Sequence, residues 1–338
     1  MNKKYDFNDI SIIPAVMSDI FSRKDINIFY DDKLPLFVAP MDTVIDEQNY
    51  GHFIRENLNV CIPRGCDLNK DYGDSFISIG LEQAENFDEK VFKYDKILID
   101  VANGHSKRVY NISKKIKEKY PNKQLMVGNI ANPETYKLYA EIGVDFIRAG
   151  IGGGSACTTA ANSSIHYPMA SLIKECAEIK DVNGYQTKIV ADGGFRNYDD
   201  IIKGLALGAD YIMLGGIFSK CTEACGENYI YDEKLDEYIK IGISQVEDLL
   251  SRKEKVYKKF RGMSTKEVQI KWGKTKLTTS EGIIKYNPIE YKLSGWLENF
   301  SDYLRSAMSY TNCKDIKDFI GNVDFKFITE NALKRFKK

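Results

Sequence analysis

The residues best equipped for chemistry lie in one short run, Gly150-Ile151-Gly152-Gly153-Gly154-Ser155-Ala156-Cys157-Thr158-Thr159. Its glycines let the backbone turn sharply and present amides and carbonyls to a ligand or an ion, while the thiol supplies a nucleophile and the hydroxyls can handle protons. A glycine-rich turn alone would carry little information; the added Ser-x-Cys-Thr-Thr makes it a candidate site. Two further segments, Asp192-Gly193-Gly194 and Leu214-Gly215-Gly216, combine a carboxylate suited to ribose hydroxyls with backbone amides suited to phosphate. Each taken singly also describes a tight turn that needs glycine conformations, but together they favour a nucleoside monophosphate. The other cysteines default to packing groups. Cys221 and Cys225 stand four apart, yet only three histidines (His52, His105, His166) accompany them and no second pair has zinc-ligand spacing.

These segments must be positioned by the elements before them. Eight short apolar runs alternate with amphipathic stretches: Leu36 to Ala39, Asn59 to Ile62, Phe76 to Ile79, Ile97 to Asp100, Gln124 to Val127, Phe146 to Ala149, Lys188 to Ala191 and Tyr211 to Leu214. Their number predicts a closed (β/α)8 TIM barrel, with an open doubly wound sheet as the alternative. In a barrel the residues just after each strand share the catalytic face, and here those positions hold Met41 and Asp42, Asp100 to Gly104, Gly128 and Asn129, the cysteine loop, and both Gly-Gly pairs. One domain is expected over 1–338, with a lid or flap over about 219–290 that is too long for an ordinary loop. From about Leu293 the chain reads as a helix and a short tail. Within the flap, Arg252 to Lys276 carries ten Lys or Arg against Glu254 and Glu267, either a solvated face or an electrostatic contact to phosphates.

Composition narrows the classes. The 338 residues are 43% hydrophobic and 28% charged, with Lys plus Arg equal to Asp plus Glu at 48 each, so no global field draws the chain to nucleic acid or anionic lipid. No apolar run approaches the roughly 18 to 20 residues of a membrane span, and Met1 to Asp6 leads into no signal-like apolar core. Neither a nucleic-acid nor a membrane partner is expected, and a cytoplasmic location is.

With these residues in place, the chain resembles the IMP dehydrogenase and GMP reductase family over nearly its whole length. The matching segments are Tyr5 to Ile10 with Pro14, Ala39 to Val44, Asp100 to Ser106, Gly128-Asn129, Gly150 to Thr159, Asp192 to Gly194, Met213 to Gly216, Arg261 to Ser264, Ser280 to Gly282 and Leu304 to Ser306. The resemblance implies that Cys157 is the nucleophile on purine C2 and that hydride passes between C2 and a nicotinamide cofactor through a thioimidate. It further implies substrate contacts from Met41, Ser155, Asp192, Gly193, Gly194, Gly215, Gly216, Arg261, Gly262, Met263 and Ser264. Asp100, Val101, Ala102, Asn129, Ser280 and Ser306 would face the cofactor, and carbonyls of Gly150, Gly152 and Cys157 could ligate potassium. A homotetramer is implied, with part of the cofactor pocket supplied by a neighbour near Ser306.

Direction is read from the flap. Dehydrogenases of this family carry an Arg-Tyr pair that activates water, and commonly a CBS insertion after the second strand. This sequence has no Arg-Tyr between Met263 and Glu281 and no room for an insertion between Cys61 and Leu98. Reductases use a Thr-Glu pair, and Thr159 and Glu281 fall at the matching positions. The resemblance therefore implies GMP reductase chemistry with NADPH, the alternative being NAD-dependent oxidation of IMP to XMP. Departures from the family pattern are Gly153, Ala160 and Thr278, the last two where arginines are common, and His166 to Met169. They leave open a modified purine nucleotide as substrate. A nucleotide-binding barrel without catalysis and a flavin-dependent barrel are the readings from other classes; the first would need no Cys157, Thr159 and Glu281 together, and bound flavin would reveal the second.

Overall fold

The computed structural model describes residues 3–273, 275–277 and 279–336. Eight parallel strands close into a barrel: β1 (Leu36–Val38), β2 (Asn59–Ile62), β3 (Phe76–Ile79), β4 (Lys96–Asp100), β5 (Gln124–Ile130), β6 (Phe146–Ala149), β7 (Lys188–Asp192) and β8 (Tyr211–Leu214). Closure is made by β1 against β8, with Val38 opposite Leu214. Barrel strands are covered on both faces, so they are apolar almost throughout, and Leu36, Ile77, Ile97, Ile147, Ile189 and Ile212 are fully buried. Near the N-terminal end, rings of Phe37, Phe76, Phe146 and Tyr211 meet edge to face or tilted, with centroids 5.1 to 6.2 Å apart. That plug leaves the polar positions to the opposite end.

All eight expected strands are present. Two run further than the apolar pattern indicates, β5 to Ile130 and β7 to Asp192. Asn129 and Asp192 therefore belong to strand ends rather than loops. The extension of β5 depends on Gly128, which pairs with both Asp100 and Arg148; a Cβ there would lie 2.4 Å from Arg148 Cβ. Residues 63–75 alone join β2 to β3, with no inserted domain.

After β8 the flap is a four-stranded antiparallel sheet, made of β9 (Asn228–Asp232), β10 (Glu237–Ile241), β11 (Tyr257–Arg261) and β12 (Ile284–Pro288) in the order β10-β9-β11-β12. Period-two alternation is clearest in β11, where Lys258 and Phe260 are buried and Tyr257, Lys259 and Arg261 are partly exposed. The C-terminal part is more than a helix and a tail. Helix Leu293–Tyr310 packs Trp296, Phe300 and Leu304 inward; beyond it, strand Phe325–Phe327 pairs antiparallel with Ile10–Ile12 near the start of the chain. Three residues are too few for a periodic signal, and their partner is remote in sequence. No described helix is long and apolar enough to cross a membrane.

Candidate active site

The cysteine loop follows β6 and meets the flap edge to edge. Gly150 and Gly152 have φ of +138° and +81°, and a Cβ on Gly150 would stand 2.1 Å from the Asp192 carbonyl oxygen, so only glycine fits there. Cys157 forms a β-bridge with Gly282; beside it Thr158 N–H donates to Glu281 O (2.8 Å) and Ile283 N–H to Ala156 O (3.0 Å). This backbone stitching delivers the Glu281 side chain to the first turn of helix Thr159–Ser163. Thr159 Oγ1 donates to Glu281 Oε2 at 2.5 Å and accepts from Cys157 Sγ at 3.3 Å. Thiol, hydroxyl and carboxylate thus form one hydrogen-bonded line along which a proton can move.

A second network forms the polar end of the barrel. Arg148, within β6, donates to Asp100 Oδ1 at 2.6 Å and to Asp192 Oδ2 at 2.9 Å; Asn129 Nδ2 donates to Asp192 Oδ2 and to Gly150 O, both at 2.7 Å. Burial disfavours the Arg148 charge, but Asp192 and Asp100 outweigh it and raise its pKa further. Arg64, after β2, lies 3.3 Å from Asp100 and stacks its guanidinium 3.6 Å from the Trp272 ring centre; burial lowers its pKa. Sequence reasoning missed these three residues. Arg148 had a readable signal, a cation inside an apolar strand that must find buried counter-charges, whereas nothing local couples Arg64 to Trp272.

The glycine segments come together at one place. A Cβ on Gly153 would lie 3.2 Å from Gly194 N, and one on Gly193 3.0 Å from Gly154 N. Gly216 faces Ser155, whose Oγ is 2.9 Å from where its Cβ would be, and Gly215 stands in the same way 2.6 Å from Met41 Sδ. Ala160 covers Gly152, with its Cβ 2.7 Å from that glycine's would-be Cβ.

Flap residues are drawn to the same place, though Arg261 is already engaged. It donates to Asp42 Oδ2 at 2.8 Å and to Glu267, and Lys271 reaches Asp42 at 2.7 Å. Burial pushes the Asp42 carboxyl up, but Arg261 and Lys271 bring it below its usual 3.8. Lys259 pairs with Glu267 as well, so these three cations of the basic run are held by carboxylates of the protein itself. Gly262 rests on the Ala156 carbonyl, with Met263 and Ser264 half-buried next to it, and Ser280 Oγ donates to Gly282 O at 2.6 Å. Val101 exchanges backbone hydrogen bonds with Gly128 and Asn129, while Ala102 is exposed. Ser306 stands apart, on helix Leu293–Tyr310 in the outer layer. Thr278 lies outside the described residues. Among the described residues, no group of three or more His, Cys, Asp or Glu could hold a metal ion.

Comparison with known proteins agrees with this geometry. A family model described as IMP dehydrogenase / GMP reductase domain matches residues 78–337. GMP reductase 2 of Mus musculus is 29% identical, over 97% of this chain and 95% of the relative, and GMP reductase of Buchnera aphidicola is 28% identical over the same shares. Inosine-5'-monophosphate dehydrogenase of Borreliella burgdorferi is 33% identical over 80% of this chain. The chain spans only 65% of that dehydrogenase. With a matching barrel and a family model covering most of its length, the chain belongs to the IMP dehydrogenase / GMP reductase family.

Proposed function

We propose that the protein is a GMP reductase, converting GMP to IMP and ammonia with NADPH as reductant. The observation that carries this reading is the line Cys157–Thr159–Glu281, which ends in a flap carboxylate where a water-activating Arg-Tyr pair is absent. The near-complete mutual coverage with reductases supports it. The phosphate sits in the cradle of Ser155, Gly193, Gly194, Gly215 and Gly216, and the ribose on Asp192, whose orientation Asn129 and Arg148 fix. Met41, Met263 and Ser264 face the base. Cys157 passes its thiol proton along Thr159 to Glu281 as its sulfur adds to C2 of the purine; Glu281, through Thr159, then gives that proton to the 2-amino group so that ammonia rather than amide departs. Bound there, NADPH would supply the hydride that replaces the amino group at C2, after which Cys157 would leave as its C2–sulfur bond breaks and IMP is freed. Asp100, Val101, Ala102 and Ser280 would hold the cofactor's nicotinamide side, and Trp272 beside Arg64 and Asp100 offers a flat face and polar neighbours on that side of the site. Carbonyls of Gly150, Gly152 and Cys157 would hold potassium if it binds here, oxygen donors being suited to a hard cation. It would rigidify the loop. A neighbouring subunit of a homotetramer completes the cofactor pocket near Ser306.

The test is absorbance at the reduced-nicotinamide band in potassium buffer, GMP plus NADPH against IMP plus NAD, with Cys157→Ala as control. NADPH loss with GMP that the control lacks supports the reductase. NADH formation with IMP reverses the direction, and silence in both arms removes the reading.

A further inference from the structure

One buried cation of the flap has no part in the scheme above. Lys258, on β11, is 3% exposed. Its Nζ donates to Ala224 O at 2.7 Å, Asn228 Oδ1 at 3.0 Å and Gly226 O at 3.4 Å. All three acceptors are uncharged, and among the described residues no carboxylate pairs with the ammonium. They all come from one segment, residues 224–228, by which the chain leaves the barrel wall and enters the flap. Burying an ammonium is costly unless its donors are satisfied, and here the available N–H groups are used on convergent oxygens, as a monovalent cation is held by a ring of carbonyls.

That segment is fastened on its other side to the β1 loop. Cys225 N–H donates to Val44 O at 3.2 Å, and Asn49 Nδ2 donates to both Glu223 O and Val44 O at 2.9 Å. There is no slack: a Cβ on Gly226 would lie 2.4 Å from Lys259 O and 3.0 Å from Thr43 O. In the opposite direction β11 leads from Lys258 to Gly262, whose N–H donates to Ile283 O at 3.1 Å, next to the Cys157–Gly282 bridge. Lys258 therefore stands between the root of the flap and the strand that carries the flap to the cysteine loop.

We infer that Lys258 is a positioning residue whose ammonium serves as a built-in cation, locking the flap root to the β1 loop and setting where Glu281 meets Thr159. Without the ammonium, three buried oxygens lose their donor and the loop must rearrange to find others. The shift travels along β11, a stiff strand, rather than being absorbed in a flexible joint.

Hydrogen exchange read by mass spectrometry on the full chain tests this independently of the proposed reaction, on which only the activity arm rests. In Lys258→Met, amides of 257–263 and 279–291 should exchange about tenfold faster or more, while β4 to β6 keep their protection. In the reductase assay turnover should fall by about tenfold or more, with the KM for the nucleotide changed less than turnover is. In Lys258→Ala, ethylammonium should restore both slow flap exchange and turnover, and tetramethylammonium, which lacks N–H donors, should restore neither. Unchanged flap exchange in Lys258→Met overturns the inference. So does an equal rise of exchange across barrel and flap, the mark of a purely structural lysine, or a loosened flap with full turnover. If the wild type fails to oxidise NADPH with GMP, the proposed function falls while the exchange and rescue arms still decide the role of Lys258.

Discussion

Replacing Glu281 by Gln should separate proton transfer from positioning. The backbone contacts that hold the flap against the cysteine loop, Thr158 N–H to Glu281 O and Ile283 N–H to Ala156 O, involve no side chain at 281 and survive the change. Glutamine also keeps an oxygen to accept from Thr159 Oγ1, now 2.5 Å from Glu281 Oε2. What it cannot do is gain and give up a proton. General acid catalysis by a positioned group contributes about 10² to 10⁴-fold, equivalent to about 3 to 5 kcal/mol of barrier at about 1.4 kcal/mol per tenfold. Turnover of Glu281→Gln should fall by that factor, while GMP binding, followed by equilibrium titration of a Cys157→Ala background, should change little. Thr159→Val breaks the same line at its middle, between contacts of 3.3 Å and 2.5 Å. The double variant should accordingly be hardly slower than the slower single one, because residues that act as one unit are not additive. Unchanged turnover in Glu281→Gln, or full multiplication of the two defects, would refute the relay.

Three further substitutions probe how the site is held. Gly262→Ala would put a methyl 2.7 Å from Ala156 O and 2.9 Å from Gly282 Cα, an overpacking worth about 1 to 3 kcal/mol; flap amides should lose protection, and unaltered exchange would show that the contact yields freely. Arg148→Met leaves Asp100 and Asp192 without their shared cation, so urea denaturation should show a loss of about 3 to 5 kcal/mol, and a loss below about 1 kcal/mol would mean that Arg64 or water compensates. Asp42 is held below its usual 3.8 by Arg261 and Lys271, so the stability it contributes is complete above that pH and is lost as pH falls through the depressed value. Flap exchange, corrected for intrinsic rates, should therefore be level from about pH 5 upward for this group; Asp42→Asn should loosen the flap at neutral pH, and an unaffected flap would detach Asp42 from its anchoring role.

The barrel was legible because each strand is a short apolar run bounded by polar or glycine residues, and β2, β3, β6 and β8 begin and end where that pattern does. Extensions of β5 and β7 were not, since Gly128 and Asp192 join the ladder through neighbours rather than through their own propensity, and Asn129 sits at a register shift between Gly128 and Ile130. Among the candidate site residues, those on the cysteine loop and the two Gly-Gly turns could be found from local composition, and the structure brings them together. Glu281 could not: a Ser-Glu-Gly in a charged stretch is unremarkable until the flap sheet folds back to Thr159, and only family resemblance singled it out. Arg261 belongs to a basic run that the sequence left open between solvent and phosphate, and its pairing with Asp42 and Glu267 could not be read locally because Asp42 is remote in sequence. The four strands of the flap escaped notice because their alternation is masked by lysines, one of which, Lys258, points inward.

The bridge between Cys157 and Gly282 carries one more consequence. Because the flap edge is hydrogen-bonded to the very loop that bears the thiol, any lifting of the flap would also separate Glu281 from Thr159. Opening and disarming are then a single motion. An open flap would leave the sulfur without its proton relay, and closure alone would restore it, since the line from Cys157 to Glu281 is complete with no nucleotide in place.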